Sequence, residues 1–332
     1  MVLRPLPLGY KKEQLLVKTV KQIFVAAIVF AFAIVCFAEL PSDVLLAKYK
    51  EKIKHTPKER FEHALSEPMD PVHIIGGIYY IGSTTVSSFV INTGEGLVLV
   101  DAGTPMMFDA IKHNIESLGF QLSDIKYIIS SHAHWDHVGG LANMQKQTAA
   151  KVVALGLDAE SIASGKDTSA VSFLGLNWDP VPIDRVIKDR DSFTLGDVTI
   201  HAYDTPGHTK GCTTWTTTIR EGEKDYKVAF LGGTSVNAGV KLLNNPLYPN
   251  IAEDYKKTFA VLASLSPDVY LAQHPFFFNL SGKLEQRKAN PAVNPFVDPD
   301  EWTMFIQNDE LKFLRQLDDE WRALSASKAV SK

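Results

Sequence analysis

The sequence predicts an α/β fold in which two mixed β-sheets are covered by helices on both outer faces. Strand-like and helix-like runs follow one another between Val72 and Gln286, and no shift in composition divides this region into two domains. Some strand runs are continuously apolar, which is typical of buried strands, and others alternate, which is typical of half-exposed strands. Because sheets and helices bury their apolar faces against each other, this pattern favours a four-layer helix–sheet–sheet–helix sandwich.

The first part of this region predicts an antiparallel meander that enters a buried sheet. A turn at 93–96 (TGEG) separates two of its strands, and Phe108, Ile111, Ile115 and Leu118 have the spacing of one helix face. The predicted strands are 77–82, 86–92, 97–101, 125–130 and 151–155, and the predicted helices are 106–118, about 140–148 and a short one after residue 155.

The second part begins with a long segment without periodicity, residues 164–182, which is rich in Gly, Ser, Asp and Pro. Such a segment inside a domain is typical of a binding loop. The elements predicted after it are strands at 181–186, 191–195, 198–203, 212–219, 227–231 and 269–272, and helices at 251–265 and 298 to about 324. Asp298 and Pro299 suit the N-cap and first position of the last helix.

The N-terminus has the pattern of an export signal. Residues 23–38 are uninterrupted apolar sequence, basic residues precede them, and small Ala38 precedes Glu39. The run is shorter than the about 20 residues of a membrane span. We therefore expect a signal peptide at 1–38, with an uncleaved membrane anchor as the alternative, a helical extension at 39–69 and the main domain at 70–332. The protein is expected to be periplasmic or secreted.

Charge and cysteine content narrow the possible partners. The net charge is −4, so no basic surface of the size that nucleic acid requires is implied. We expect no nucleic-acid partner, membrane contact only during export, a small-molecule substrate and a monomer. Of the two cysteines, Cys36 leaves with the signal peptide. Cys212 then has no partner for an internal disulfide, and we interpret it as a buried structural thiol.

The residues that bear the chemistry begin at a predicted strand end. The segment 131–137 (SHAHWDH) places three histidines and an aspartate directly after the strand 125–130. His208 and His274 also follow predicted strands, each in a turn that contains Pro or Gly. Strand ends can converge at one sheet edge, and imidazole and carboxylate are the ligand types that hold Zn²⁺ or a similar metal. The pattern predicts a metal-dependent hydrolase.

These motifs resemble those of the metallo-β-lactamase superfamily. Residues 132–137 match its H-x-H-x-D-H motif, residues 205–209 (TPGHT) and 273–275 (QHP) match its later ligand motifs, and 101–104 (DAGT) matches its D-x-G turn. The resemblance covers about residues 70–322. It implies an αββα sandwich, which agrees with the layers inferred above, and a catalytic domain at 70–332.

The segment 230–237 (FLGGTSVN) separates the branches of that superfamily. Members similar to glyoxalase II or to RNA-processing enzymes carry a metal-bridging Asp where this chain has Gly233. The first subclass of zinc β-lactamases carries a zinc-binding Cys where this chain has Thr234. The remaining pattern resembles the third subclass of class B β-lactamases, and residues 245–249 (NPLYP) and 294–299 (NPFVDP) resemble it as well.

The resemblance to this subclass implies two zinc ions per chain. His132, His134 and His208 would hold the first, and Asp136, His137 and His274 the second. It implies hydrolysis of the β-lactam amide bond by a metal-bound hydroxide, hence antibiotic resistance, with Asp136 also orienting the nucleophile. Zinc lowers the pKa of bound water to about 7, so hydroxide is available at neutral pH. A zinc hydrolase of a lactone or a phosphodiester, and a non-enzymatic zinc protein, remain the alternatives.

Further residues are assigned from their position in loops. Thr234 and Ser235 are candidates for binding the substrate carboxylate, and Trp178, Phe173 and Leu174 are candidate walls of the site. Asp101 is expected to support a ligand instead of binding metal. The remaining histidines and two lysines are interpreted as ordinary surface groups: His55, His63, His73, His113, His201, Lys210 and Lys241.

Overall fold

The structure is a computed structural model and describes residues 58–170 and 176–330. The predicted signal peptide, residues 39–57 of the predicted extension, His55, Phe173 and Leu174 lie outside the described residues. Within the described ranges, no helix combines the length and the apolar character needed to cross a membrane.

The larger sheet has seven strands in sequential order and is mixed. Its strands are β1 (Val72–Ile75), β2 (Ile78–Tyr80), β3 (Phe89–Asn92), β4 (Leu97–Val100), β5 (Ile125–Ile129), β6 (Lys151–Leu155) and β7 (Arg185–Ile187). The pairs from β1 to β4 are antiparallel, as expected for a meander. The pairs from β4 to β7 are parallel, which brings the carboxyl ends of these four strands to one edge.

The second sheet has five strands in the order β12-β11-β10-β9-β8. Its strands are β8 (Ser192–Leu195), β9 (Val198–Asp204), β10 (Thr213–Glu221), β11 (Lys224–Leu231) and β12 (Val269–Ala272). Only the pair of β11 and β12 is parallel, so this sheet is mixed too.

Eight α-helices lie in the described residues. They are α1 (Lys58–Leu65), α2 (Phe108–Ser117), α3 (Trp135–Val138), α4 (Leu141–Thr148), α5 (Gly156–Ser164), α6 (Ile251–Ala263), α7 (Leu280–Ala289) and α8 (Pro299–Val330). Two 3₁₀ turns, Pro105–Met107 and Leu122–Asp124, complete the elements. As predicted, Asp298 caps α8, because its carboxylate accepts a hydrogen bond from the Asp300 amide at 3.2 Å.

The side chains of β4 show how the layers are joined. Val98 and Val100 belong to the apolar cluster between the two sheets, whereas Leu97 and Leu99 belong to the cluster under α2, α4 and α5. Both faces of this strand are buried, as its continuously apolar sequence predicts. On the second sheet, α6 and α8 cover the outer face, where Tyr270 packs edge-on against Trp302. The predicted αββα sandwich is confirmed.

Three local predictions were wrong or incomplete. The strand predicted at 181–186 begins only at Arg185, because Pro180 and Pro182 lack the amide hydrogens that a sheet ladder needs. The predicted ligand loop contains the short helix α3, and α7 was not predicted. Helix α7 has little apolar periodicity, and its buried residues include Lys283, which pairs with Glu301 of α8.

Candidate metal centre

The first ligand segment leaves the carboxyl end of β5 and folds immediately into α3. His134 takes the N-cap position of this helix in an extended conformation, and its carbonyl accepts a hydrogen bond from the Val138 amide at 2.9 Å. Asp136 and His137 lie within the helix. A short helix directly after a strand therefore separates the ligands of this segment into two groups.

One group consists of His132, His134 and His208, and we call it the three-histidine group. Their ligand nitrogens lie within 4.8 Å of one another. The ring centroids of His132 and His208 are 4.6 Å apart, and those of His134 and His208 are 4.7 Å apart. The segments that follow β5 and β9 thus meet at one point, as predicted for a metal site.

The other group consists of Asp136, His137 and His274, and we call it the aspartate group. Its ligand atoms also lie within 4.8 Å of one another. Oδ2 of Asp136 is 3.4 Å from Nε2 of His137 and 3.7 Å from Nε2 of His274. The two groups are neighbours, since the ring centroids of His132 and His137 are 4.3 Å apart.

Outer hydrogen bonds set the orientation of three imidazoles. Nδ1 of His208 lies 2.7 Å from the carbonyl oxygen of Ser235, and Nδ1 of His274 lies 2.9 Å from that of Thr85. Nδ1 of His132 lies 3.1 Å from Oγ of Ser131. An imidazole that donates Nδ1–H to a carbonyl keeps Nε2 unprotonated and available to a metal.

Asp101 supports both groups from behind. Its carboxylate accepts hydrogen bonds from the amide and the hydroxyl of Ser131, each at 2.7 Å, and Oδ2 lies 3.2 Å from Nδ1 of His137. Asp101 is 2% exposed and belongs to neither ligand group. This placement agrees with the supporting role predicted for it.

The donor set fits a zinc ion. Nε2 of His134 is buried and has no hydrogen-bond partner in the described part of the chain. Buried polar atoms are normally satisfied, so this unpaired nitrogen indicates a missing partner. Five imidazoles and one carboxylate are the nitrogen and oxygen donors that zinc takes in hydrolases.

The protonation of the three-histidine group also suits a metal. Burial, together with the neighbouring imidazoles, holds the pKa of His132 and of His134 well below the usual range. Burial lowers the pKa of His208 to about 4. Neutral imidazoles are the form that binds metal, so these three are ready to bind at neutral pH.

The aspartate group is strongly coupled in the absence of metal. Burial opposes charge on His137, but the carboxylates of Asp136 and Asp101 outweigh burial and raise its pKa to about 10. Burial alone would raise the pKa of Asp136, but His137 and His274 hold it well below its usual range. A cation bound here would replace the proton on His137.

The sequence reasoning missed two supporting groups. Asp158, in the first turn of α5, accepts hydrogen bonds from the Ala133 amide and the Thr209 hydroxyl, and the carbonyl of Thr85 orients His274. Burial, opposed by these donors, raises the pKa of Asp158 to about 6. An acidic residue after a strand was the available signal for Asp158, whereas a backbone carbonyl has no sequence signal.

The residues predicted to bind substrate lie at different depths. Thr234 is buried, and its hydroxyl donates a hydrogen bond to Oδ2 of Asp309 at 2.6 Å. Ser235 is partly exposed beside His208. Trp178 is buried in the cluster under α5. Roles for these three in substrate binding stay predictions.

The groups interpreted as ordinary behave as expected. His63, His73, His113 and His201 are exposed, as is Lys241. Lys210 is partly buried, with its ammonium 5.5 Å from the ring centre of Tyr248. Cys212 is fully buried, and burial raises the pKa of its thiol above the usual range. A buried, protonated thiol agrees with the structural role predicted for it.

Comparison with known proteins places this centre in a family. A family model for the metallo-β-lactamase superfamily matches residues 81–274, which include all six predicted ligands. The chain belongs to the metallo-β-lactamase superfamily.

Solved structures agree in fold and in subclass. The FEZ-1 metallo-β-lactamase from Legionella gormanii is 34% identical, with a TM-score of 0.74, over 76% of this chain and 97% of that chain. BJP-1, a subclass B3 metallo-β-lactamase of Bradyrhizobium japonicum, is 36% identical, with a TM-score of 0.73, over 78% of this chain and 98% of that chain. These structural neighbours confirm the predicted resemblance to the third subclass.

Curated relatives match shorter segments. A hydroxyacylglutathione hydrolase from Rhizobium johnstonii is 32% identical over 87 residues, which are 26% of this chain and 27% of that protein. The chain thus spans about a quarter of the length of this relative. The shared segment supports a metal-dependent hydrolase without defining a substrate.

Proposed function

We propose that this protein is a zinc-dependent β-lactamase that binds two zinc ions, one in each ligand group, and hydrolyses the β-lactam amide bond. One observation carries the choice of reaction: the position of the metal-bridging aspartate of other branches is Gly233, and the ring of His208 occupies the space of its side chain. A Cβ on Gly233 would overlap Cγ and Cδ2 of that ring. The likeness to subclass B3 enzymes over nearly their whole length supports the same choice.

The ligand residues and their supports would perform the chemistry. Zinc held by these residues would supply an acidified water, with a pKa of about 7, and would polarise the carbonyl of the substrate. Asp136 contacts His137 and His274 through Oδ2, and its carboxylate would also orient the attacking water. The histidines hold the centre rigid because Ser235 and Thr85 bond two of them from behind. No protein nucleophile is required.

A second candidate is a zinc hydrolase of another substrate. The curated relative named a hydroxyacylglutathione hydrolase favours a thioester of that kind. A lactone or a phosphodiester is a further possible substrate, because one fold can host several functions. Gly233 weighs against the branches that use a bridging aspartate there. Zinc content does not separate the two candidates, whereas substrate turnover does.

Localisation and partners follow from the proposed activity. A β-lactamase that confers antibiotic resistance acts outside the cytoplasm, which suits an export signal at 1–38. We therefore propose a periplasmic or secreted monomer that meets membrane only during export and takes a small β-lactam as its substrate.

The test is turnover by purified protein without residues 1–38, loaded with zinc and analysed for metal content. Loss of the carbapenem chromophore would be followed beside a lactone, a bis(p-nitrophenyl) phosphate and a hydroxyacyl thioester of glutathione. His208→Ala is the control for the metal centre, and a chelator followed by added zinc tests reversibility.

We expect rapid, chelator-sensitive opening of the β-lactam and little turnover of the other three compounds. A protein that holds zinc but leaves carbapenems, penicillins and cephalosporins intact would overturn the β-lactamase proposal. Turnover of the thioester, lactone or phosphodiester in the same assay would then identify the second candidate.

A further inference from the structure

Asp158 links the two chain segments that carry the three-histidine group. Its Oδ2 accepts a hydrogen bond from the amide of Ala133, between His132 and His134, at 2.8 Å. The same oxygen accepts one from the hydroxyl of Thr209, the residue after His208, at 2.6 Å. One carboxylate oxygen therefore joins both segments by direct bonds.

The second oxygen of Asp158 holds the His208 turn from its other side. Oδ1 accepts a hydrogen bond from the amide of Gly211 at 2.8 Å. Gly211 lies so close to the start of α5 that a Cβ on it would overlap the Asp158 amide nitrogen and the Leu155 carbonyl oxygen. Asp158 is 4% exposed, so its carboxylate relies on these three donors.

We infer that Asp158 is a positioning residue that holds the His132–His134 segment and the His208 turn at the separation required for zinc binding by the three-histidine group. The inference rests on the metal centre of the proposed function but not on its substrate. Asp158 itself is not a ligand, because both of its oxygens are directed to protein donors.

The effect is expected to be selective for one ligand group. The aspartate group has other supports, since Asp101 lies behind His137 and the Thr85 carbonyl orients His274. The three bonds of Asp158 reach only residues next to or near the ligands of the three-histidine group. Loss of the carboxylate should therefore weaken zinc binding in that group and spare the other.

The experiment measures zinc affinity, by competition with a chromophoric chelator, in two backgrounds that leave one group intact. His274→Ala disables the aspartate group, and His208→Ala disables the three-histidine group. Asp158→Asn is added to each background. The Asn side chain keeps the shape of Asp, but its NH₂ group cannot accept a hydrogen bond from a donor that now bonds to Asp158. Loss of such a support is expected to weaken binding by about 10- to 100-fold in the His274→Ala background.

Two milder variants keep the test decisive if Asp158→Asn does not fold. Thr209→Val removes one donor to Asp158 while keeping the side-chain volume, and Thr209→Ser restores a hydroxyl. Asp184→Asn is the matched control, since Asp184 accepts a hydrogen bond from the Val152 amide at 2.8 Å at the opposite end of β6. Thermal unfolding of each metal-free variant separates loss of stability from loss of metal affinity.

The expected result is weaker zinc binding for Asp158→Asn and Thr209→Val in the His274→Ala background, with Thr209→Ser and Asp184→Asn unchanged. In the His208→Ala background, all four added substitutions should leave the zinc affinity equal to that of His208→Ala alone. Equal affinity of Thr209→Val and Thr209→Ser, or equal losses in both backgrounds, would overturn the selective positioning role. This readout does not depend on which substrate the enzyme hydrolyses.

Discussion

Gly233 packs directly against the imidazole of His208, so this ring occupies the space that a side chain at position 233 would need. His208 cannot retreat easily, because its Nδ1 is bonded to the Ser235 carbonyl. Residues 233 and 208 therefore depend on each other, and a bridging carboxylate at 233 is incompatible with His208 in its present position.

Gly233→Asp should therefore displace His208 and weaken the three-histidine group. We expect loss of at least half of the bound zinc and a fall of turnover of about 100-fold or more, since small misplacements of a catalytic centre cost about that much. Metal analysis and β-lactam kinetics check this. Gly222→Asn is the control, because position 222 has open space and a positive φ of 62° that Asn tolerates. Full zinc content and activity in Gly233→Asp would contradict the packing argument.

Asp101→Asn should weaken zinc binding without straining the backbone. Asp101 has a φ of 59°, which Asn tolerates, so this variant changes the carboxylate and little else. The side-chain amide of Asn has only one accepting oxygen. It therefore cannot accept hydrogen bonds from both the backbone amide and the hydroxyl of Ser131 while it also faces Nδ1 of His137. We expect zinc affinity to fall by about 10- to 100-fold, measured by chelator competition. Asp101→Glu serves as the comparison that keeps the charge, and unchanged affinity in Asp101→Asn would remove the supporting role.

Cys212 should resist thiol reagents in the folded protein. Its sulfur is buried, accepts a hydrogen bond from the Gly233 amide at 2.9 Å, and has a raised pKa, so little thiolate is present or accessible. In a Cys36→Ser background, labelling should be at least about 100-fold slower in buffer than in guanidinium, because it requires unfolding. Fast labelling of the folded protein would show that this part of the centre opens.

Phe276 should favour substrates that carry an aromatic substituent. Its ring lies nearly parallel to that of His274, at 5.1 Å between centroids, and the residue is 44% exposed. A half-exposed ring beside a metal ligand offers an apolar contact worth about 1 kcal/mol. Phe276→Ala should raise KM several-fold for β-lactams with an aryl side chain. Phe276→Leu should give a KM between those of the unchanged protein and of Phe276→Ala. Equal changes for substrates that lack the aryl group would argue against this contact.

The candidate ligand residues could be named from the sequence because their signal is local. His132, His134, Asp136 and His137 form one short motif after an apolar strand, and His208 and His274 each follow another strand in a Pro- or Gly-containing turn. The layers were predictable for a similar reason, since the continuous apolar run of β4 requires cover on both faces.

The supports of the ligands were harder to predict because they depend on contacts between distant segments. Asp158 is 51 residues from Thr209 along the chain, and Thr85 is 189 residues from His274. Neither contact changes the local pattern of its segment. The late start of β7 and the short helix α3 also escaped prediction, since turns and prolines override the weak periodicity of such short elements.

By itself the sequence determined the kind of sandwich and which residues are candidate ligands, because side-chain type and apolar periodicity are properties of single segments. Only the tertiary structure decided which groups hold the two predicted sets of candidate ligands in place. It placed His208 against Gly233. It also placed Asp158 between the two segments of the three-histidine group. Those relationships arise from close packing and from the need to satisfy buried polar groups, which act between segments that meet only in the folded chain.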